Sequence, residues 1–400
     1  MIWGSEMFRN TYSMWVCLMA LSCTTLVADD DVDPASLKHL AGYWYVSNAE
    51  PSVYYYKDAD RYLDLFSYHR QDSNNDGIDN LIVRHDATHI ILDSQGYPNH
   101  PTAVFPNSGN PNSIKVQQFQ FRLPFEPQLN DHITRVPMGP IGVALNGVVF
   151  FNPFEAGGMN AVEGYSEVWL DSCCGHPEQR GVYHYHKYPV CVKSPFRDNG
   201  KRHSPVIGFA FDGFPVYGPY EADGVMAKDL AGDKALDVCN GHKDDVRGYH
   251  YHVTPGRFPY VLGGYAGVPD PANIRGPRRS QEGAIEDNSE GESRQPKVIA
   301  SVRPGSAVPG QKHLLTIELA PEKANRTPVP EGKPDWVQIG PFEALSIERD
   351  GNTVRVEIQI PEDATVGVLM DCHIEFKSAN RPRAVFKSND VFRVVEQEDP

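Results

Sequence analysis

Tyr183-His184-Tyr185-His186 and Tyr249-His250-Tyr251-His252 spell one four-residue pattern twice, and strict alternation of this kind marks a β-strand. Successive side chains of a strand point to opposite faces, so His184 and His186 share one face and Tyr183 and Tyr185 the other. The pattern belongs to a longer repeat. Asp171-Ser172-Cys173-Cys174-Gly175-His176 and Gly181 precede the first copy, and Asp237-Val238-Cys239-Asn240-Gly241-His242 and Gly248 precede the second. In both copies the Gly-His histidine stands eight and ten positions before the last two histidines, while the intervening glycine shifts by one. Seven of the 15 histidines lie between His176 and His252, and a repeat this rich implies a repeated structural unit.

Two imidazoles ~6–7 Å apart along one strand face can converge on a single ion, as His-x-His pairs do in zinc, copper and iron sites. The candidate ligands are therefore His184, His186, His250 and His252, with His176 and His242 as a third imidazole per copy from the preceding turn. All-nitrogen ligation favours copper or zinc, with iron also within range, over magnesium. The tyrosines would face the core with their hydroxyls seeking partners. The competing reading is structural: buried histidines often serve only as hydrogen-bonded core residues, and the repeat could preserve a folding unit whose histidines knit loops together.

Outward from the repeat, residues 29–270 are crowded with turn formers between short apolar runs, among them Gly96-Tyr97-Pro98-Asn99, Pro137-Met138-Gly139-Pro140 and Asn146-Gly147, and periodic helix is hard to find. One irregular, mainly β domain is the economical reading. Residues 271–297 carry Arg275-Gly276-Pro277-Arg278-Arg279 and an acidic, Ser/Gly-rich run with almost no apolar content, which reads as a linker. Beyond it Leu315/Ile317/Leu319, Leu345/Ile347 and Val354/Val356/Ile358/Ile360 alternate at period two, with Asp350-Gly351-Asn352 as a hairpin turn. Residues 298–400 thus read as a small immunoglobulin-like β-sandwich, a spacer or a binding unit for an extracellular protein or glycan.

At the N-terminus Arg9 precedes an apolar stretch from Trp15 to Val27, and Leu26-Val27-Ala28 meets Asp29-Asp30-Asp31. That is the plan of a secretory signal over residues 1–28, predicting a secreted, periplasmic or cell-surface protein with no stable membrane insertion after cleavage. An uncleaved anchor is the alternative; a lipid-modified Cys23 is disfavoured by Ala20, where a lipoprotein signal carries a large aliphatic residue. A net charge of −15 without any basic run excludes nucleic acid as a favoured partner. Signal removal would leave Cys173, Cys174, Cys191, Cys239 and Cys372 in an oxidising compartment, enough for at most two bridges.

The Tyr183–His186 element, Ser204-Pro205-Val206-Ile207-Gly208-Phe209-Ala210-Phe211-Asp212-Gly213-Phe214-Pro215-Val216-Tyr217-Gly218-Pro219 and Phe258-Pro259-Tyr260-Val261-Leu262-Gly263-Gly264-Tyr265 resemble the YHYH-domain proteins, a family of secreted proteins of bacteria and some eukaryotes. Gly96-Tyr97-Pro98-Asn99-His100 and Gly139-Pro140-Ile141-Gly142-Val143-Ala144-Leu145-Asn146-Gly147-Val148 are similar to that family's upstream elements, so the resemblance spans about Tyr97 to Gly267. It implies no particular reaction, since the family is defined by its motif. Many relatives carry a cysteine where Gly264 stands, so the resemblance implies a bridge that this chain does not have available.

Three further features qualify as candidates. Asp72-Ser73-Asn74-Asn75-Asp76-Gly77 has oxygen donors at Asp72, Asn74 and Asp76 and the glycine that a calcium loop needs, with Asp79 or Asn80 as further donors, but Val83 stands where an EF-hand requires glutamate; a polar hairpin turn is the alternative. Asp212, set among aromatics in Phe211-Asp212-Gly213-Phe214-Pro215, is the candidate catalytic acid/base or histidine partner, against an ordinary Asp-Gly turn. His100, Asn146 and Glu167 could approach the same site. No serine-hydrolase elbow, phosphate loop, dinucleotide fingerprint or His-Glu-x-x-His occurs. The readings that stand are a secreted metal-binding protein, a metal-dependent hydrolase or oxidoreductase using the same ion with Asp212, or a surface adhesion module with structural histidines. For the cysteines, a turn at Tyr188-Pro189 predicts Cys174 bonded to Cys191, worth ~3 kcal/mol by loop entropy. Repeat equivalence predicts Cys173 bonded to Cys239, and Cys372 remains as a buried thiol in a strand spanning residues 369–376.

Overall fold

The computed structural model describes residues 32–155, 160–163, 168–192, 198–274, 298–320, 328–362, 364, 366–377 and 384–396. The signal segment, the linker from residue 275 onward and Glu167 lie outside the described residues. Among the described residues there is no α-helix, in keeping with the mainly β reading, and no helix long and apolar enough to cross a membrane.

The chain opens with an antiparallel meander of β1 (Leu37–Ala41), β2 (Trp44–Ser47), β3 (Tyr54–Asp58) and β4 (Arg61–Asp64). A second follows, of β5 (Leu81–His85), β6 (His89–Ser94) and β7 (Phe119–Pro124). β8 (Leu129–Thr134) pairs with β17 (Tyr265–Gly267). Between β8 and β17 lies an eight-stranded sheet made of β9 (Pro140–Ala144), β10 (Val149–Phe151), β11 (Gly175–Pro177), β12 (Tyr183–Tyr185), β13 (Val206–Ala210), β14 (Pro215–Tyr217), β15 (Gly241–Asp244) and β16 (Gly248–His252). Its order, β11-β12-β10-β9-β13-β14-β16-β15, reads as one four-strand pattern and its mirror.

Each half starts with a hairpin, β9–β10 or β13–β14, turning at Asn146-Gly147 or Asp212-Gly213. The turn requires a left-handed residue, and the glycines supply it with φ of +81° and +89°. A Tyr-His-Tyr-His strand then adds parallel to the second hairpin strand, β12 on β10 and β16 on β14. A Gly-His strand closes each edge. The halves meet where Val143 faces Phe209, with Gly142 opposite Ala210 and Ala144 opposite Gly208, so the junction is itself symmetric. Both faces of this sheet are covered: Val143, Phe150, Tyr183, Tyr185, Phe209, Tyr217 and Tyr251 are buried in one apolar core with Trp44, Phe66 and Phe121 from the meanders.

The C-terminal unit contains β18 (Ile299–Arg303), β19 (Ser306–Ala307), β20 (Lys312–Leu319), β21 (Trp336–Ile339), β22 (Phe342–Asp350), β23 (Thr353–Gln359), β24 (Leu369–Phe376) and β25 (Ala384–Val394) around its own core. The alternation read from the sequence is realised in Leu315, Ile317, Leu319, Val354, Val356 and Ile358, all buried, and Gly351 forms the β22–β23 turn with φ +61°. Leu345 departs from it. The β22–β23 pairing bulges between Ala344 and Ser346, which leaves Leu345 exposed.

The two units are in contact. His373 stands between the rings of Trp169 and Trp336, at 4.8 and 5.0 Å, and Lys187 reaches Asp371 at 3.1 Å. Glu375 accepts a hydrogen bond from the Val104 amide (3.2 Å), and the Val366 amide donates to the Asp198 carbonyl (3.0 Å).

Candidate metal centres

The Asp-x-Cys-x-Gly-His segments form matching turns. Asp171 Oδ1 accepts from the amides of Cys173 (2.9 Å) and Gly175 (3.1 Å), and Asp237 Oδ1 from those of Cys239 (2.8 Å) and Gly241 (3.0 Å). The third turn residue, Cys174 or Asn240, is left-handed with φ of +67° or +66°. The other oxygen of each aspartate accepts from the first tyrosine of the motif, Tyr183 or Tyr249, both at 2.8 Å. Gly175 and Gly241 are required because a Cβ on either would overlap that tyrosine's phenol. Thus the acid, the glycine and the first tyrosine of the repeat act together to seat the Gly-His histidine beside the His-x-His strand.

In the first half His176, His184 and His186 are buried and have ligand nitrogens within 4.8 Å of one another. His184 Nδ1 lies 2.9 Å from the Val182 carbonyl, and His186 Nδ1 lies 2.9 Å from the Asn152 carbonyl. A carbonyl can only accept, so each Nδ1 carries the proton and each Nε2 is a bare lone pair. Yet the two Nε2 atoms face each other at 3.1 Å, and His176 Nε2 is buried with no hydrogen-bond partner. The facing lone pairs of His184 and His186 repel unless a cation or a proton sits between them. Phe151 stacks on His184 with centroids 3.6 Å apart, and Glu155 Oε1 stands 3.7 Å from His186 Nε2.

The second half repeats and extends this. His242, His250 and His252 donate through Nδ1 to the carbonyls of Lys234 (2.8 Å), Gly248 (3.0 Å) and Gly218 (2.6 Å). His203, from the segment before β13, donates likewise to its neighbour Ser204 (2.9 Å). All four Nε2 atoms converge on Glu221: Oε1 lies 3.0 Å from His252, 3.1 Å from His242, 3.2 Å from His203 and 3.7 Å from His250. His250 Nε2 is in turn 3.2 Å from those of His203 and His242. Donors each ~2.0–2.1 Å from a common ion stand roughly 2.9–3.4 Å from one another, depending on coordination angle, and the Nε2 pairs His184–His186, His203–His250 and His242–His250 fall in that range.

Burial keeps five of these imidazoles, His176, His184, His186, His250 and His252, toward the neutral form that ligates. Burial, reinforced by neighbouring histidines, holds His184 and His176 well below the ordinary imidazole range. Burial also lowers His186 to about 4 and His252 to about 3. His242 moves the other way: burial lowers it, but Glu221 and the Lys234 carbonyl outweigh burial and raise it. Burial works to raise the Glu221 carboxyl, and hydrogen bonds from the four histidines hold it far below the usual carboxylate range, so a proton on the Nε2 atoms facing it is what an ion would replace there.

All six histidines expected to ligate are therefore brought together, three in each half, with four strands between β12 and β16. Glu221 and His203 escaped the sequence reading. The signal for the carboxylate was present: the repeat runs at a constant offset of 66 residues from Gly142/Gly208 through Glu155/Glu221 and His176/His242 to His186/His252, well upstream of the aspartate where it was first recognised. His203 has no counterpart, since Pro137 stands at the matching position.

Asp212 is not among the histidines. It is buried on the tyrosine side, where Oδ2 accepts from Tyr251 (2.5 Å) and the Gly267 amide (3.0 Å), and burial raises it to about 6. Asn146 and His100 also face that side, contacting the Tyr185 hydroxyl at 3.1 and 2.6 Å. In the calcium-like loop the oxygens serve internal donors: Asp72 accepts from the amides of Asp76 and Gly77, and Asp76 from Ile78, Asn74 and Gln95. The expected cysteine pairing is corrected: the bridge joins Cys173 to Cys191, across a Cα separation of 5.1 Å. Cys174 occupies the left-handed corner of the turn and remains a buried thiol, and Cys239 lies in the other half-sheet, beyond the reach of Cys173. Cys372 is a buried thiol in β24, as expected.

No curated protein and no solved structure gives a significant match to the chain. Residues 120–230, which run from β7 through the first Tyr-His-Tyr-His strand to Glu221 and just beyond, match the family model described as YHYH protein.

Proposed function

We propose that this is a secreted metal-binding protein holding one first-row transition ion in each half of its central sheet. His176, His184 and His186 hold the first. His242, His250 and His252, joined by His203 and Glu221, hold the second. Imidazole ligation favours copper or zinc and admits iron. The observation carrying this reading is that carbonyls fix the Nδ1 protons of six of these seven histidines, all but His176, leaving Nε2 atoms packed at 3.1–3.2 Å with a carboxylate among them. Histidines that merely knit loops would spend both nitrogens on protein donors and acceptors; His176 leaves one orphaned in the interior. The leader-like N-terminus and acidic charge support export, and the C-terminal unit fits an immunoglobulin-like spacer or docking module. Elemental analysis of full-length protein purified without a histidine tag should find two ions per chain, falling to one in His184→Ala/His186→Ala. A metal-free protein that stays so after incubation with Cu(II) and Zn(II) would sink the proposal.

A further inference from the structure

The two centres match in sequence position but not in donors. Around Glu221 the carboxylate and the imidazoles of His203, His250 and His252 lie within 4.8 Å of one another, four donors that fill a tetrahedral site and offset half of a divalent charge, with His242 against Glu221 (3.1 Å) and His250 (3.2 Å). Around His184 there are three neutral imidazoles, and among the described residues no fourth His, Cys, Asp or Glu joins them at ligand distance. Glu155, the counterpart of Glu221, stands off at 3.7 Å from His186 with its side chain 36% exposed, against 16% for Glu221. Among the described residues no ligand takes the place of His203, whose counterpart at the 66-residue offset is Pro137. Phe151 lies flat on His184, 16° from parallel, and covers one flank, whereas its counterpart Tyr217 stands edge-on to His250 at 75°. Glu155 borders the centre on its His186 side.

Resting on the metal reading above, we infer that the His176/His184/His186 centre admits a small anion to its ion, while the Glu221 centre is closed. Three protein donors with one vacant position is the arrangement of zinc and copper sites that bind exogenous ligands. With neutral ligands only, the ion there keeps its full positive charge, which favours an anionic ligand; the histidines are 6% exposed or less, which restricts it to a few atoms. Glu155 is the intramolecular competitor for that position.

The test uses full-length protein loaded with Cu(II), metal content by elemental analysis, and azide as the probe, followed by its ligand-to-metal charge-transfer absorption. Wild type should bind two ions and develop the band. His184→Ala/His186→Ala, or His184→Gln where the pair impairs folding by near-ultraviolet circular dichroism, should retain one ion and lose the band. The equivalent carboxylates should behave oppositely: Glu155→Ala keeps two ions and binds azide several-fold more tightly, whereas Glu221→Ala loses one ion and keeps the band. A band that survives loss of the first centre and disappears with Glu221, or two bound ions without any band, overturns the inference while leaving the metal reading intact. Absence of bound ions in wild type overturns both.

Discussion

Asn146 and Asp212 occupy the same position in the two halves of the sheet, and each meets the hydroxyl of the second motif tyrosine, Tyr185 at 3.1 Å and Tyr251 at 2.5 Å. The asparagine donates to its tyrosine; the aspartate accepts from its own. Burial raises Asp212 to about 6, against opposition from Tyr251 and the Gly267 and Phe214 amides.

A pH dependence follows from that difference. Between about pH 4 and 6 the folded protein holds a proton on Asp212 that the unfolded chain has released, so this group's contribution to stability is complete below ~4 and is lost as pH rises through about 6. The change is on the order of 2–3 kcal/mol for a shift of about two units. The buried neutral histidines slope in the opposite sense, so the readout is the difference between wild type and Asp212→Asn in metal-free denaturant unfolding at pH 4, 5, 6 and 7. Parallel stability curves for the two proteins would refute the assignment.

Gly264 abuts Cys239, the buried thiol of the second repeat. A Cβ there would lie 3.0 Å from Cys239 Sγ, about the distance from a Cβ to the far sulfur of a disulfide. Gly264→Cys should therefore form a Cys239 bridge on air oxidation, after a small shift of Ile133, whose Cγ2 is 2.7 Å from the new Cβ. Non-reducing peptide mapping should recover the two segments as one fragment; two free thiols there would contradict the geometry.

Two glycine substitutions separate overlap from backbone strain. Gly256 is left-handed at φ +72° with open space around its Cβ position, so Gly256→Ala should cost only ~1 kcal/mol. Gly175→Ala drives a methyl into Tyr183 and disturbs its bond to Asp171, with an expected loss of roughly 2–4 kcal/mol. Urea unfolding of both variants, without metal, should place Gly175→Ala clearly below Gly256→Ala, and equal midpoints would show that the tyrosine is free to move aside.

Chelation should destabilise the protein, because an ion bound only by the native state adds RT ln(1 + [L]/Kd), about 4 kcal/mol at a thousandfold excess over Kd. His203→Ala should remove part of that gain by weakening only the Glu221 centre. Thermal unfolding with and without EDTA checks both, and an unchanged midpoint on chelation in wild type would count against native metal binding.

What could be read from sequence was whatever two-residue periodicity and local turns control. Val354, Val356 and Ile358 announced their inward face, Gly351 its turn, and the histidine pairs their shared side. Long-range placement was not legible. His203 stands just before β13, in a segment with no repeat to flag it. The choice between Cys173 and Cys174 turned on which residue takes the left-handed corner, a distinction that adjacent identical residues conceal. Glu221 was legible in principle, had the 66-residue offset been followed upstream past Asp171.

The mirrored strand order also describes an ancestor-like assembly. A single half, ending on the unpaired edge of β9, would expose a hydrogen-bonding ladder whose best partner is the same edge of another copy, giving an isologous dimer about a two-fold axis through Val143 and Phe209. Joining the two halves in one polypeptide makes that dimer concentration-independent. It also releases each half from identity with the other: one could recruit His203 and draw Glu221 inward while its twin kept Glu155 outside, a division of labour that a symmetric pair of identical subunits cannot encode.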